Sequence, residues 1–304
     1  MSQAAAPDPL PGVPRERHGR ATRLIENAHC WVEVLAGGGP RIVGFGLAGG
    51  PNVLAETPDV RWDAGHGTFE LVGGHRLWFA PESPECSVPD STGLEMSSIP
   101  GGVRLTGAFE APSGLRKSLE IRLDEAAAAL EVRHTLANEG ARTLEISPWA
   151  ITQLRLGGVA AVDLPAPVPE HTMAPGHVLV MWPYSSWGDE RLTISARALT
   201  VRAIPGVPFK VGCLCTTGEV GYVLDGVLFV KRFEAGVDLP HADMGCNVEI
   251  YADQGTIELE TLGPLVRLAP GDTAVHVERW SVARVGDLRG DAAHLAELLG
   301  PAPR

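Results

Sequence analysis

The stretch GGVRLTGAFEAPSGLRKSLEIRLDEAAAALEVRHTLANEGARTLEISPW, Gly101–Trp149, consists of three or four segments of alternating apolar and polar residues, separated by Pro-Ser-Gly, Asp-Glu and Asn-Glu-Gly. In LEVRHTLAN, residues Leu130, Val132, His134 and Leu136 fall on one face of a strand, and Glu131 and Arg133 on the other. That is a strand with one wet side, as in an antiparallel sheet. His134 sits with the apolar set and reads as a core histidine bonded to a neighbour. DEAAAALE, Asp124–Glu131, allows either a short helix by propensity or a turn running into a strand.

The same texture extends outward in both directions. From Arg23, short apolar runs are broken by Gly and Pro, the punctuation of strands joined by turns. Residues 1–22 are rich in Pro, Ala and charge without periodicity, and are expected to form a flexible N-terminal arm. GDAAHLAELLG, Gly290–Gly300, places Ala293, Leu295, Leu298 and Leu299 at helical spacing, which predicts a short C-terminal helix. No repeat of 20 to 50 residues is evident, which disfavours a propeller or solenoid. The expected fold is all-β: one large antiparallel β-sandwich domain over residues 23–304.

With 44% hydrophobic and 20% charged residues, a full core is expected. The formal charge of -12, with no Lys/Arg cluster, disfavours nucleic acid as a partner. No apolar window is long enough for a membrane span and the N-terminus lacks a secretory pattern, so the expectation is a cytoplasmic protein, monomer or homodimer. Five scattered cysteines do not form a disulfide framework. Cys213, Cys215 and Cys246 lack the usual zinc spacing and read as structural thiols, so neither a metal nor a cofactor is expected.

Two stretches gather polar side chains. In CNVEIYADQGTIELETLGP, Val248 and Ile250 alternate with Asn247, Glu249 and Tyr251, and after Gln254-Gly255, Ile257 and Leu259 alternate with Thr256, Glu258 and Glu260. A hairpin turning at Gln254-Gly255 sets Tyr251 opposite Glu258 and Glu249 opposite Glu260. Opposed carboxylates repel, so the pair needs a bound cation, sugar hydroxyls, a shared proton, water or a nearby Lys or Arg. In GGHRLWFAPE, Gly73–Glu82, two glycines permit a tight backbone, His75 and Arg76 bring donors, and Trp78 offers a flat surface for a sugar ring or for the core. Trp149, Gln153, Trp182, Tyr184, Trp187 and Lys210 carry the same two readings.

GGHRLWFAPE, HTLANEGARTLEISPWAITQLRLGG, GVLFVKRF, MGCNVEIYADQGTIELETLGP and LAPGDTAVHVERWSV occur in an order that resembles a bacterial family of no assigned reaction, placed among the galactose mutarotase-like proteins. The resemblance runs from about Arg23 to about Val285. It implies a large antiparallel sandwich, a supersandwich, whose concave face holds a carbohydrate. The aldose 1-epimerases of that superfamily use a C-terminal glutamate as general base and a central-strand histidine as general acid. ELETLGP resembles the glutamate strand and makes Glu260 the matching position; PWAITQL departs from the pattern, with no histidine between His134 and His171.

Two functions follow. One is an aldose or sugar-derivative epimerase in which Glu260 takes the anomeric hydroxyl proton and His75 or Lys210 protonates the ring oxygen. The other is non-catalytic carbohydrate recognition, with Trp78 and Trp149 stacking on the sugar and Arg76, Glu249 and Lys210 taking its hydroxyls. Arg76 and Lys210 also raise an acidic sugar such as a uronate as substrate.

Overall fold

The computed structural model describes residues 10–164, 173 and 176–285. Two large antiparallel sheets face each other. The first runs β1 (Val13–Arg17), β2 (Arg20–Glu26), β3 (Cys30–Leu35), β4 (Ile42–Leu47), β7 (His75–Ala80), β12 (Leu144–Arg155), β21 (Thr256–Leu262), β20 (Val248–Ala252), β17 (Phe209–Cys213) and β14 (Leu179–Met181), with β22 (Val266–Leu268) also on β12. The second runs β15 (Leu192–Ile194), β16 (Ala198–Arg202), β13 (Val159–Asp163), β18 (Glu219–Leu224), β19 (Val227–Phe233), β23 (Thr273–Arg284), β11 (Ala129–Asn138), β10 (Leu115–Leu123), β9 (Gly102–Glu110) and β8 (Glu95–Ile99). A separate ribbon pairs β5 (Glu56–Asp63) with β6 (Thr68–Gly73). Among the described residues no helix is long and apolar enough to cross a membrane.

The predicted alternation holds where it was clearest: in β11, Leu130, Val132, His134 and Leu136 are buried, while Arg133 is exposed. Asp124–Ala128 forms the turn into that strand, resolving the ambiguity of the alanine run against a helix. The predicted arm is corrected from Val13 onward, because β1 and β2 pair from Val13↔Leu24 to Arg17↔Arg20 and extend the first sheet. Its polar residues reflect an exposed edge strand. The predicted helix at 290–300 lies outside the described residues. All five cysteines are buried free thiols.

The two glycines before His75 are required by the backbone. Gly73 and Gly74 have φ of 95° and 71°, and a Cβ on Gly74 would lie 2.0 Å from the Ile42 carbonyl oxygen. They let β7 enter between β4, which it meets at Ile42↔His75, and β12.

The inner faces share an apolar core in which Phe45 of the first sheet packs on Phe229 and Trp280 of the second. Within it lies a buried polar network. Lys231 Nζ is 2.7 Å from Glu278 Oε1 and donates to the carbonyls of Ala150 and Leu259, each at 3.1 Å. Glu278 also accepts from Trp280 Nε1 at 2.7 Å and from the Thr261 hydroxyl. His134 Nδ1 faces the His276 carbonyl at 2.9 Å, so that nitrogen carries the hydrogen. His134 Nε2 then accepts from His75 Nε2 at 2.7 Å, and His75 Nδ1 accepts from the Thr152 hydroxyl at 2.9 Å.

His75, His134 and Glu278 also form a potential metal-ligand group, with ligand atoms within 4.8 Å of one another. A tetrahedral metal would hold its two ring nitrogens about 3.3 Å apart. The observed 2.7 Å is a hydrogen bond, and Lys231 supplies the positive charge that Glu278 needs.

This network makes stability sensitive to acid. Burial depresses the basicity of His75 and His134, and brings His276 to about 3. The unfolded chain takes up those protons first, so stability present above pH 6.5 is lost as pH falls toward 3, by up to about 1.4 kcal/mol per pH unit for each histidine. Denaturant titrations across pH 4 to 8 measure the slope. Lys231→Met strands a buried carboxylate and should cost about 3–5 kcal/mol at neutral pH.

Candidate functional site

Side chains of the first sheet that point away from the second come from five adjacent strands. The register is β7–β12 with Arg76↔Ile151 and Trp78↔Trp149, β12–β21 with Ile151↔Glu260 and Gln153↔Glu258, β21–β20 with Glu260↔Glu249 and Glu258↔Tyr251, and β20–β17 with Tyr251↔Lys210. The hairpin register expected from the turn at Gln254-Gly255 is therefore the one observed. Of the eight predicted site residues, Arg76, Trp78, Trp149, Gln153, Lys210, Glu249 and Glu260 share this face.

His75 does not. It precedes Arg76 in the same strand, so its side chain points into the inter-sheet network, is 0% exposed, and packs edge-on to Trp280 with ring centroids 4.8 Å apart. The expected pairing of Glu260 with His75 is corrected: the thickness of the sheet separates them.

Lys210 resolves the opposed carboxylates. Its Nζ lies 2.7 Å from Glu249 Oε2 and 2.8 Å from Glu260 Oε2, over the rings of Trp149 at 4.5 Å and Trp182 at 4.6 Å. Trp149 Nε1 donates to the same Glu260 oxygen at 2.6 Å. Burial opposes the ammonium, but Glu260 and Glu249 outweigh it and raise the Lys210 pKa. Burial also lifts the Glu249 carboxyl well above its ordinary value; Lys210 opposes the shift, and Glu260 and Asp243 add to it. Glu249 Oε1 and Glu260 Oε1 are buried without a hydrogen-bond partner.

Beside this group, Arg76 Nη2 donates to Glu258 Oε1 at 3.3 Å, and its guanidinium lies 4.5 Å from the Trp78 ring centroid. Trp78 is not an open stacking platform: Phe69 of the β5–β6 ribbon meets it at 5.6 Å and Trp149 at 5.7 Å, leaving it 6% exposed. The more accessible aromatic surface is carried by Trp182, Tyr184 and Trp187, which follow β14.

Sequence reasoning missed Asp243 and Glu82. Asp243 sits half-buried between β19 and β20, its carboxyl raised by burial against the pull of Lys210 and of a contact with the Glu249 carboxyl, with Glu260 adding to the rise. Glu82, just after β7, is exposed at the rim and feels Lys210, Glu260, Arg76 and Asp243. Glu258 was legible, since the hairpin alternation puts it on the face of Glu260.

No family model matches the sequence, and no curated protein matches it. Solved structures do. A candidate aldose 1-epimerase from Escherichia coli K12 superposes with a TM-score of 0.55 at 13% identity, over 87% of this chain and 99% of that one. A candidate mutarotase from Salmonella typhimurium gives 0.58 at 9% identity, over 90% and 97%. A galactose mutarotase-like protein from Lactobacillus casei ATCC 334 gives 0.53 at 10% identity, over 86% and 100%. The chain has the galactose mutarotase-like fold.

On this version of the fold, the outer face presents two carboxyl groups that share one ammonium, with Glu249 favouring its neutral form. Such a pair can both give and take a proton. Lys210→Met should cost about 3–5 kcal/mol near neutral pH by stranding the pair. That deficit should narrow as pH falls toward 4.5, because the Glu249 carboxyl, raised in the fold, is protonated there before its unfolded counterpart. Thermal unfolding of variant and wild type at matched pH checks both statements.

Proposed function

We propose that the protein binds a sugar on the outer face of the first sheet and interconverts its anomers by proton transfer between the Glu249 and Glu260 carboxyls and the sugar. The observation that carries this reading is the opposed pair itself, both members buried and bridged by Lys210, with one oxygen on each left unpartnered. Glu260, oriented by Trp149, takes the proton from the anomeric hydroxyl. Glu249, in its neutral form, gives a proton to the ring oxygen as the C1–O5 bond breaks. Rotation of the open-chain aldehyde and reclosure, with the protons returned, yields the other anomer. The role assigned to a histidine in the aldose 1-epimerases thus passes to a carboxylic acid, which suits a face that presents no histidine at these positions.

The likeness of fold supports a small sugar as the ligand class. Lys210 is held by two carboxylates, whereas Arg76 meets Glu258 only through Nη2 at 3.3 Å and keeps Nε and Nη1 buried without an acceptor. An acidic sugar such as a uronate, gripped by these Arg76 donors, is the alternative substrate class. The lack of a histidine among the described residues of this face favours non-catalytic recognition as the second reading, although the closed packing over Trp78 leaves ring stacking to Trp182, Tyr184 and Trp187.

Anomer-exchange NMR over neutral sugars separates the two. Catalysis predicts accelerated exchange that Glu260→Gln slows by about 10²–10⁴-fold while binding persists. The rate should also decline on the alkaline side as Glu249 loses its proton. Binding with no exchange in the wild type identifies the recognition protein.

A further inference from the structure

We infer that the ligand of this face is longer than one sugar ring: its class is a reducing oligosaccharide, with the terminal ring at the Glu249–Glu260 pair and the next ring against Tyr184 and Trp187 on the loop beside Lys210. This rests on the reading of the face as a sugar site and adds the length of the substrate.

The loop between β14 and β15 is built as two successive tight turns. Trp182–Ser185 closes with the Ser185 N–H donating to the Trp182 carbonyl at 2.9 Å, and Ser186–Asp189 closes with the Asp189 N–H donating to the Ser186 carbonyl at 3.1 Å. Trp182 turns its ring to the site, 4.6 Å from Lys210 Nζ. Tyr184 and Trp187, one from each turn, stay 51% and 60% exposed.

Both turns are fastened to the chain that carries Lys210. The Ser185 hydroxyl accepts from the Lys210 N–H at 2.7 Å. Asp189 holds the buried Arg191 through Nε and Nη2, each at 2.8 Å, and Arg191 Nη2 donates in turn to the Val207 carbonyl at 2.8 Å, with its guanidinium 5.1 Å from the Phe209 ring centroid. The first turn is therefore tied at Lys210 and the second at Val207 and Phe209. From Val207 to Lys210 an extended chain covers up to about 10 Å, more than the length of one pyranose ring. Aromatic surface thus continues outward from Trp182, through Tyr184 to Trp187, over a distance that a monosaccharide leaves partly uncovered.

The chemistry of the pair sets the direction of the chain. An oligosaccharide has one free anomeric hydroxyl, on its reducing ring, and proton transfer at Glu260 requires that ring inside; the remaining rings leave past the loop. Rings held on anchored turns lose little freedom when a ligand stacks on them. They stand among Ser185, Ser186, Gly188 and Asp189, an apolar strip with polar edges, which suits a sugar with its apolar face and hydroxylated rim.

The test is titration calorimetry with glucose, mannose and galactose against disaccharides that carry the same reducing ring: cellobiose and maltose, mannobiose, and galactobiose. For the sugar that binds, a disaccharide should bind about tenfold or more tighter than its monosaccharide. Trp187→Ala, at an exposed position, should bring that ratio toward unity, and Trp187→Phe should restore part of it. A disaccharide that binds no tighter than its monosaccharide, or a ratio that Trp187→Ala leaves as it was, overturns the inference. So does a wild type that sediments as a dimer and a Trp187→Ala variant that sediments as a monomer, since the rings then serve a second copy of the chain. If the monosaccharide binds and exchanges with no gain from a second ring, the length assignment fails and the epimerase reading stands; if no sugar of the panel binds at all, both fall.

Discussion

Alternation along β7, β12 and β21 is the constraint on which both the core and the candidate site depend. Each residue in these strands must face either the second sheet or away from it, and adjacent residues cannot do the same. Thr152, Leu259 and Thr261 face inward, while Ile151, Gln153, Glu258 and Glu260 face outward. A polar residue placed on either side is therefore buried, because one side is closed by the second sheet and the other by the loops and the β5–β6 ribbon. Polar groups on both faces had to find partners within the protein.

Two lysines perform that task on opposite sides of the same strands. Lys231, from the second sheet, pairs with Glu278 and reaches the backbone carbonyls of β12 and β21 from within. Lys210, from β17, bridges Glu249 and Glu260 on the outside. The inner arrangement is satisfied, with His75 and His134 in defined tautomers, and it behaves as a structural element. The outer one is incomplete: it leaves carboxyl oxygens of Glu249 and Glu260 without donors. Incomplete satisfaction of buried polar atoms is what separates the outer face from the inner one, and the proposed function rests on that difference.

The relation to known structures fits this picture. At identities of 9 to 13% the likeness establishes the fold, whereas the site is a matter of particular side chains. Here Glu260, the position that resembles the epimerase glutamate, lies on β21 opposite a second glutamate, Glu249, across the hairpin.

The all-β class, the β11 alternation and the register of Glu249 on Glu260 could be read from the chain, because period-two patterning and a two-residue turn are local properties. Seven of the eight residues selected for the site lie on one face for the same reason. The placement of His75 was equally local in principle: as the neighbour of Arg76 it had to face the other way, and grouping the two by proximity in sequence obscured that. The short arm misjudged as ending at residue 22 shows the converse, since an edge strand exposes polar side chains and looks like coil until its partner is known. What only the tertiary structure decided is which charges meet. Lys210 reaches Glu249 and Glu260 from 39 and 50 residues away, Glu278 finds Lys231 across 47, and Asp243 arrives on a loop whose left-handed turn has no signature in its residues. Electrostatic pairing depends on distance in space and on exclusion of water, and neither is set until the strands have chosen their neighbours.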